Sequence, residues 1–301
     1  MLVNLPTLTA GTRDPNPLAG QAQSAASRAA NVAAVRVVDE NAMQRHRDIA
    51  DLLVRVWGTS QQGAPIPADL LRSISHAGCN VTAAYNREGL LCGAAAAIVS
   101  PGEPSMYSLI AGVLPGLGDS GVGFALKQHQ RAWALARGIT TMTWTFDPLV
   151  SRNARFNLTK LGVHASEYVE NFYGVMDDEI NAHDESDRLV AFWPLESPET
   201  LACSEGTPQL VELPEFTADA VRGMGADGEP ALIEVGRDLW CRVPTDIVVL
   251  RSQDPVLAAA WRTGTRAIFQ DAFSAGHTAT AMTRTGWYRL QHSPEHKGQH
   301  E

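Results

Sequence analysis

The sequence predicts a mixed α/β fold in which helices flank a mostly antiparallel sheet, followed by a smaller α/β unit. Strand and helix patterns alternate along 301 residues, a length that suits two units of roughly 100–200 residues each. Strands joined by short turns occupy residues 80–113. A glycine-rich loop then leads directly into a helical pattern at residues 121–137.

Composition and charge exclude several classes of protein. Apolar residues form 45% of the chain and charged residues 19%, which is ordinary for a globular protein. The net charge of −9 disfavours non-specific nucleic-acid binding, which needs a basic surface. The four cysteines form no CxxC pair, so we expect no metal site. Neither a membrane-spanning run nor a signal peptide is recognisable, and we expect a cytoplasmic protein.

The first unit is expected over residues 32–195. The preceding residues 1–31 are rich in Pro, Gly, Ala, Ser and Gln without periodicity, and we expect a mobile arm there. Hydrophobic periodicity and turn residues define the elements of the first unit. The expected strands are 34–38, 80–86, 90–99, 105–113, 139–146, 164–173 and 188–193, and the expected helices are 46–57, 68–76, 121–137 and 151–161.

A second unit is expected over residues 207–291. Residues 196–206 are polar and loop-like, and we place the boundary there. Asp254-Pro255 predicts the start of a long helix. Strands are expected at 231–235, 239–243, 247–250, 278–283 and 287–290. We expect this unit to act as a lid, a substrate wall or a dimer surface, and residues 292–301 to form a disordered tail.

The loop between the strand at 105–113 and the following helix predicts a pyrophosphate site. Free backbone N–H groups and the helix dipole meet at such a junction. The residues from Gly116 to Gly121 also spell GxGxxG, the dinucleotide-binding pattern, and Asp147 at the end of the next strand would then bind the ribose. Antiparallel hairpins before the loop, and Pro115 directly before its first glycine, count against a dinucleotide.

The same stretch resembles the central motif of the GNAT acyltransferases. Val113 and Pro115 match the Val-x-Pro strand end of that family, and Gly121 and Gly123 match its glycines. The order of the predicted elements is also that of the family. A second block, TWTFDPLVSRNARFN at 143–157, resembles a little-characterised bacterial GNAT branch with a long C-terminal extension. The resemblance runs from about residue 35 to residue 290.

The resemblance implies a GNAT fold and an acyl-coenzyme A (acyl-CoA) loop. The strand before the loop would diverge from its neighbour, and its backbone would bond the pantetheine arm and polarise the thioester carbonyl. Gly118 stands where the family usually has Arg or Gln, and Asp119 brings a negative charge towards the pyrophosphate. The implied cofactor-binding residues are Ala111, Val113, Gly118, Asp119, Ser120, Gly121, Val122, Gly123 and Asn153. Asn153 has helix capping as its alternative role.

Acyl transfer to an amine requires a base, a polarised carbonyl and an acid for the leaving thiolate. Asp147 is the first candidate base, with a turn residue before Pro148 as the alternative. The tyrosine that serves as the acid in many members of the family falls at Leu158 here, so the usual acid is missing. Tyr168 and Tyr173 are candidate replacements, with half-buried strand aromatics as the alternative.

Two arginines near the start of the helix at 151–161 have more than one possible role. Arg152 and Arg155 are candidates to meet phosphate or an acidic substrate, or else lie on a solvated helix face.

The sequence therefore predicts an acyl-CoA-dependent N-acyltransferase. Acetyl-CoA or another acyl-CoA would donate a short acyl group to a small-molecule amine, such as an amino acid or a secondary metabolite. A degenerate, non-catalytic scaffold or ligand-binding protein is the alternative, and an NAD(P)-binding oxidoreductase is less favoured. We expect no nucleic-acid or membrane partner and leave a homodimer open.

Overall fold

The computed structural model describes residues 17–59, 64–174, 184–223 and 230–292. Its first sheet contains β1 (Val35–Asp39), β2 (Asn80–Asn86), β3 (Leu91–Val99), β4 (Ser105–Val113), β5 (Thr141–Phe146), β6 (Tyr168–Val169) and β7 (Arg188–Pro194). The strands lie in the order β1-β2-β3-β4-β5-β7-β6. All neighbours are antiparallel except β4 and β5, which are parallel. The predicted mixed, mostly antiparallel sheet is confirmed.

Helices cover both faces of this sheet. The helices of the first unit are α1 (Pro17–Val32), α2 (Met43–Trp57), α3 (Ala68–His76), α4 (Val122–Leu135) and α5 (Ser151–Arg155), and α5 continues as a π-helical turn over Phe156–Lys160. Ile49 and Leu53 of α2 pack with Leu71 of α3 on one face. Leu126 of α4 packs with Ala84 of β2 on the other face.

The prediction of a mobile arm over residues 1–31 is wrong from residue 17 onwards. Residues Pro17–Val32 form helix α1, which packs on α4. Ala22, Ala25, Ala26 and Ala29 are buried. These alanines recur at helical spacing, and their small side chains allow close approach to α4, but they lack the large apolar side chains that signal an amphipathic helix. Residues 1–16 lie outside the described residues.

The second unit is built around a five-stranded antiparallel sheet. Its strands are β8 (Val221–Gly223), β9 (Leu232–Val235), β10 (Asp238–Arg242), β11 (His277–Met282) and β12 (Trp287–His292), and its helices are α7 (Ile247–Gln253) and α8 (Pro255–Ser274). The order is β11-β12-β10-β9-β8. The Asp254 side chain accepts a hydrogen bond from the Leu257 amide, which confirms the predicted start of α8.

Three sequence-based assignments after residue 160 are wrong. The predicted loop at 196–206 contains helix α6 (Pro198–Ser204), which Ser197 caps. The predicted strand at 247–250 is the first turn of α7, because the Asp246 carboxylate accepts bonds from the amides of Val248 and Val249. The predicted strand at 164–173 is reduced to β6 and two isolated bridges. The predicted tail at 292–301 lies outside the described residues from 293 onwards.

The two units share one hydrophobic core. Cys241, Phe269 and Tyr288 of the second unit belong to the same buried cluster as Leu158 and Trp193 of the first. A backbone bridge between Ala165 and Ala279 joins the segment before β6 to β11. The smaller unit therefore packs directly on the first unit.

Candidate active site

A cleft opens between the parallel strands β4 and β5. The strands pair only from Ser105 with Thr141 to Tyr107 with Thr143, and β4 then continues to Val113. The register between β3 and β4 shifts just beyond this point, so that Leu109 is an extra, bulged residue. The predicted divergence of the strand before the glycine loop is therefore present.

The glycine loop connects the open end of the cleft to α4. Gly121 caps the helix with φ of 85°, a left-handed conformation that glycine adopts without strain. The first turn of a helix has N–H groups without intrahelical acceptors, and it carries positive potential. A Cβ atom added at Gly123 would lie 3.7 Å from Val113 Cγ2 and 3.8 Å from Phe156 Cζ. Gly123 therefore lies between β4 and the π-helical turn that continues α5, and the pyrophosphate contact expected at this loop stays a prediction.

An ion pair crosses this loop. The Arg152 guanidinium at the start of α5 lies 3.0 Å from the Asp119 carboxylate, and both side chains are largely exposed. A Cβ atom at Gly118 would collide with that guanidinium. Gly118 therefore leaves room for a cation that comes from α5, in the place where the family pattern has a long polar side chain. The unfavourable charge expected from Asp119 is offset by Arg152.

The remaining predicted cofactor residues lie around the cleft. Ala111 is exposed on the diverging part of β4, and Val113 is half-buried. The Ser120 hydroxyl donates to the Leu117 carbonyl. Asn153 is exposed and accepts a long, 3.5 Å hydrogen bond from the Asn157 amide. Its predicted contact with the cofactor arm stays a prediction.

Asp147 is ill suited to the base role predicted for it. Its carboxylate is buried and lies 2.6 Å from Arg251 Nη2 and 3.2 Å from Arg262 Nη2. It also accepts a hydrogen bond from the Leu149 amide, which is the turn role that the sequence left open. Burial opposes ionisation, but the two arginines outweigh it and lower the pKa to about 2. A paired carboxylate of this acidity is a poor proton acceptor.

Tyr168 is likewise held in a structural contact. Its hydroxyl donates to the Asp187 carboxylate at 2.6 Å, and burial and this bond raise its pKa. Arg266 of α8 donates to the same carboxylate. Tyr168 is therefore a weak candidate for the acid that protonates the thiolate.

Tyr173 lies against the sheet near the closed end of the cleft. Its hydroxyl lies 3.1 Å from the Thr145 hydroxyl. The neighbouring Tyr107 has a raised pKa. Burial is the main cause and Tyr173 adds to the increase, whereas a hydrogen bond from Thr145 partly opposes it. Arg188 lies 5.3 Å from the Tyr173 ring centre. Of the predicted catalytic residues, Tyr173 alone lies half-exposed beside the cleft.

Sequence reasoning missed Lys127. This side chain is buried, and its ammonium donates a 2.9 Å hydrogen bond to the Ser108 hydroxyl. Lys127 lies on the same helix face as Gly123 and Arg131, since positions four residues apart share a face. The sequence contained one signal that could have identified Lys127, which is a charged residue on the sheet-facing side of this helix.

The described residues contain neither a helix fit to span a membrane nor a cluster fit to bind a metal. None of the helices in the described ranges combines the length and apolar character needed to cross a bilayer. Within the same ranges, no cluster of His, Cys, Asp and Glu has the grouping needed to hold a metal ion.

Several solved structures of acetyltransferases are similar to this chain. No protein-family model and no curated protein matches the sequence. A chain described as a GNAT-family acetyltransferase from Desulfovibrio desulfuricans is 16% identical, covers 54% of this chain and 99% of its own, and gives a TM-score of 0.45. A GNAT-family acetyltransferase from Streptococcus pneumoniae is 12% identical, with 52% and 98% covered and a TM-score of 0.44.

A third similar structure is a complex with acetyl-CoA. The phosphinothricin acetyltransferase from Sinorhizobium meliloti, a GNAT superfamily structure in complex with AcCoA, is 14% identical, with 54% and 88% covered and a TM-score of 0.42. In this chain itself, the mostly antiparallel sheet flanked by helices, the divergence of β4 from its neighbour and the loop before α4 match what the sequence resemblance implies. By that topology the first unit has the GNAT fold.

Proposed function

We propose that this chain is an acyl-CoA-dependent N-acyltransferase of the GNAT superfamily. The observation that carries the proposal is the cleft between β4 and β5, which opens directly onto the glycine loop and the first turn of α4. The pyrophosphate would lie at the helix N-terminus, and the pantetheine arm would run between the diverging strands. Ala111 and Val113 would offer backbone groups to the arm.

The dinucleotide alternative finds less support. A dinucleotide loop follows a strand that opens a parallel βαβ unit, whereas β4 follows two antiparallel strands. Asp147, the acidic residue expected at the ribose, is buried in ion pairs with Arg251 and Arg262. The non-catalytic alternative rested on Gly118 and on the charge of Asp119. The Arg152 guanidinium lies beside Gly118 and offsets that charge.

The amine acceptor is proposed to approach from the sheet face opposite α4. Tyr107, Thr143 and Phe192 form a row across β4, β5 and β7 on this face. Phe192 is 40% exposed and Tyr173 is 49% exposed. An aromatic face with hydroxyl groups suits a small amine with an apolar body. A small-molecule acceptor is therefore favoured over a nucleic acid, which the net charge of −9 repels.

Calorimetry on the full chain tests the proposal. Acetyl-CoA, propionyl-CoA and succinyl-CoA would be titrated separately, with NADH as the comparison ligand. We expect binding of at least one acyl-CoA and none of NADH; binding of NADH alone would instead support the dinucleotide alternative. Mass spectrometry of a panel of amines incubated with the bound acyl-CoA would then test transfer. Binding without any acylated product would support the non-catalytic alternative.

A further inference from the structure

Lys127 lies at the closed end of the cleft. Its Nζ atom donates a 2.9 Å hydrogen bond to Ser108 Oγ and lies 3.8 Å from the Trp144 ring centre. Since β4 and β5 stop pairing after Tyr107 and Thr143, Ser108 and Trp144 are the next residues of the two strands. Lys127 therefore contacts both strands at the first position where they separate.

The ammonium has no anionic partner among the residues that the structure describes. Lys127 is 4% exposed, and burial lowers its pKa to about 7. The other ionisable groups nearby are engaged elsewhere or uncharged at neutral pH. On α4, Arg131 donates to the Leu195 carbonyl and His129 lies 2.9 Å from Asp39, while Tyr107 on β4 has a raised pKa. A buried, unpaired amine is costly, and such groups concentrate at functional sites.

The position of Lys127 matters because it is close to where the thioester would lie. This inference rests on the proposed function. With the pyrophosphate at the loop from Gly118 to Gly123, the pantetheine arm would run along β4 towards the closed end. The distance from Val113 back to Ser108 is about 16 Å, at roughly 3.3 Å per strand residue. That distance is comparable to the length of an extended pantetheine arm, so the sulfur would lie beside Lys127.

We propose that the Lys127 ammonium is the acid that protonates the departing coenzyme A thiolate. The amine nitrogen of the acceptor attacks the thioester carbon and forms the new C–N bond. The C–S bond breaks, and its electron pair goes to sulfur. The sulfur takes a proton from Nζ, and the resulting neutral lysine regains a proton from solvent, which also receives the proton lost by the acceptor amine.

The acidity of the two groups suits this transfer. A cysteine thiol has a pKa of about 8.5 and the Lys127 ammonium one of about 7, so the two groups are close enough in acidity to share one proton, and the ammonium stabilises the thiolate until that proton is transferred. Two other positions considered for this role are weak. Leu158, at the position of the usual tyrosine, has no ionisable group, and the Tyr168 hydroxyl is bound to Asp187.

Titration of the thiol of bound coenzyme A tests the proposal without requiring the acceptor. Ultraviolet absorbance of the thiolate would be followed against pH for coenzyme A bound to the full chain, to Lys127→Met and to Lys160→Met. Lys160 is exposed and serves as the matched control. We expect the bound thiol of the wild type and of Lys160→Met to titrate about one to three pH units below that of Lys127→Met.

The outcomes separate this proposal from the proposed function. Equal thiol titration in the wild type and in Lys127→Met, with coenzyme A bound to both, would overturn the role of Lys127 and leave the cofactor site intact. Failure of the wild type to bind coenzyme A would overturn both proposals. Lys127→Arg keeps the charge and should keep most of the shift. Thermal unfolding would establish that each variant is folded. The comparison of the wild type with Lys127→Met is sufficient to decide the role of Lys127.

Discussion

The Nη2 atom of Arg251 lies 2.6 Å from Oδ2 of Asp147, although 104 positions separate the two residues in the sequence. Arg262 Nη2 reaches the same oxygen at 3.2 Å. Asp147 directly follows β5, whereas the arginines belong to α7 and α8. The Asp147 carboxylate therefore joins the two units. This structural role explains why it is buried, and no role in proton transfer is needed to explain it.

Asp147→Asn is expected to destabilise the protein. Removing one partner of a buried ion pair leaves its counter-charges uncompensated, which typically costs about 3–5 kcal/mol. The measurement is the free energy of unfolding from urea titration. Asp48→Asn is the control, since Asp48 pairs with Arg45 at the surface and its loss should cost less than about 1 kcal/mol. If Asp147→Asn abolished acyl transfer without changing stability, Asp147 would be the base after all.

The same carboxylate should make the protein sensitive to acid. The pKa of Asp147 falls from 3.8 to about 2 in the folded state, so its stabilising contribution is complete above pH 4. That contribution is lost as the pH falls from about 4 to about 2, and it amounts to about 2 kcal/mol. Unfolding free energies measured across this window should fall more steeply in the wild type than in Asp147→Asn. Parallel slopes in the two proteins would contradict the assignment.

Local patterns predicted the elements that surround the cofactor loop. Alternating strands, the turn residues and the glycines at 116–123 depend on neighbours within a few positions, and the structure has these elements close to their expected bounds. Helix α7 shows the limit of such patterns. Its residues Ile247 to Leu250 favour a strand, yet capping by Asp246 and packing on α8 make them helical.

Side-chain roles in the candidate site depend on partners far along the chain. Asp147 and Tyr168 were catalytic candidates because of their positions, one at the end of the strand beside the glycine loop and the other on the following strand. The partners of Asp147 are Arg251 and Arg262 of the second unit, and the partner of Tyr168 is Asp187, 19 positions away beside β7. Lys127 was missed for the same reason, since its depressed pKa arises from burial between two strands.

Arg152 is expected to determine how Asp119 affects cofactor binding. The pair is exposed and should contribute little to stability. Because Arg152 neutralises Asp119, Asp119→Asn alone should change the dissociation constant of acetyl-CoA less than about threefold. Arg152→Ala should weaken binding about tenfold, through loss of a phosphate contact and through repulsion of order 1 kcal/mol from the unpaired carboxylate.

A double-mutant cycle measures this coupling. In the Arg152→Ala background, Asp119→Asn should recover several-fold in affinity, and the recovery should shrink as ionic strength rises. The dissociation constants would be measured by calorimetry at low and high salt. Equal effects of Asp119→Asn in both backgrounds would show that the ion pair across the loop has no part in cofactor binding.

Gly123 offers the sharpest test of where the pyrophosphate lies. A Cβ atom there would meet Val113 and Phe156 at ordinary contact distances, so Gly123→Ala should fold and gain about 0.5–1 kcal/mol of stability from its higher helix propensity. The methyl group would nevertheless hold phosphate oxygens away from the first-turn amides. Loss of one charge-assisted hydrogen bond, worth about 1.5–3 kcal/mol, would weaken acetyl-CoA binding about tenfold to a hundredfold.

Gly20→Ala is the matched control for Gly123→Ala. Gly20 lies in α1 with nothing within 4 Å of an added Cβ atom, so this variant should gain similar stability and bind acetyl-CoA as the wild type does. Gly121 is less informative, because its φ of 85° would strain any side chain whether or not a ligand binds there. Unfolding midpoints and dissociation constants of the two alanine variants would be compared. Unaltered acetyl-CoA affinity in Gly123→Ala would mean that the phosphates bind away from the first turn of α4.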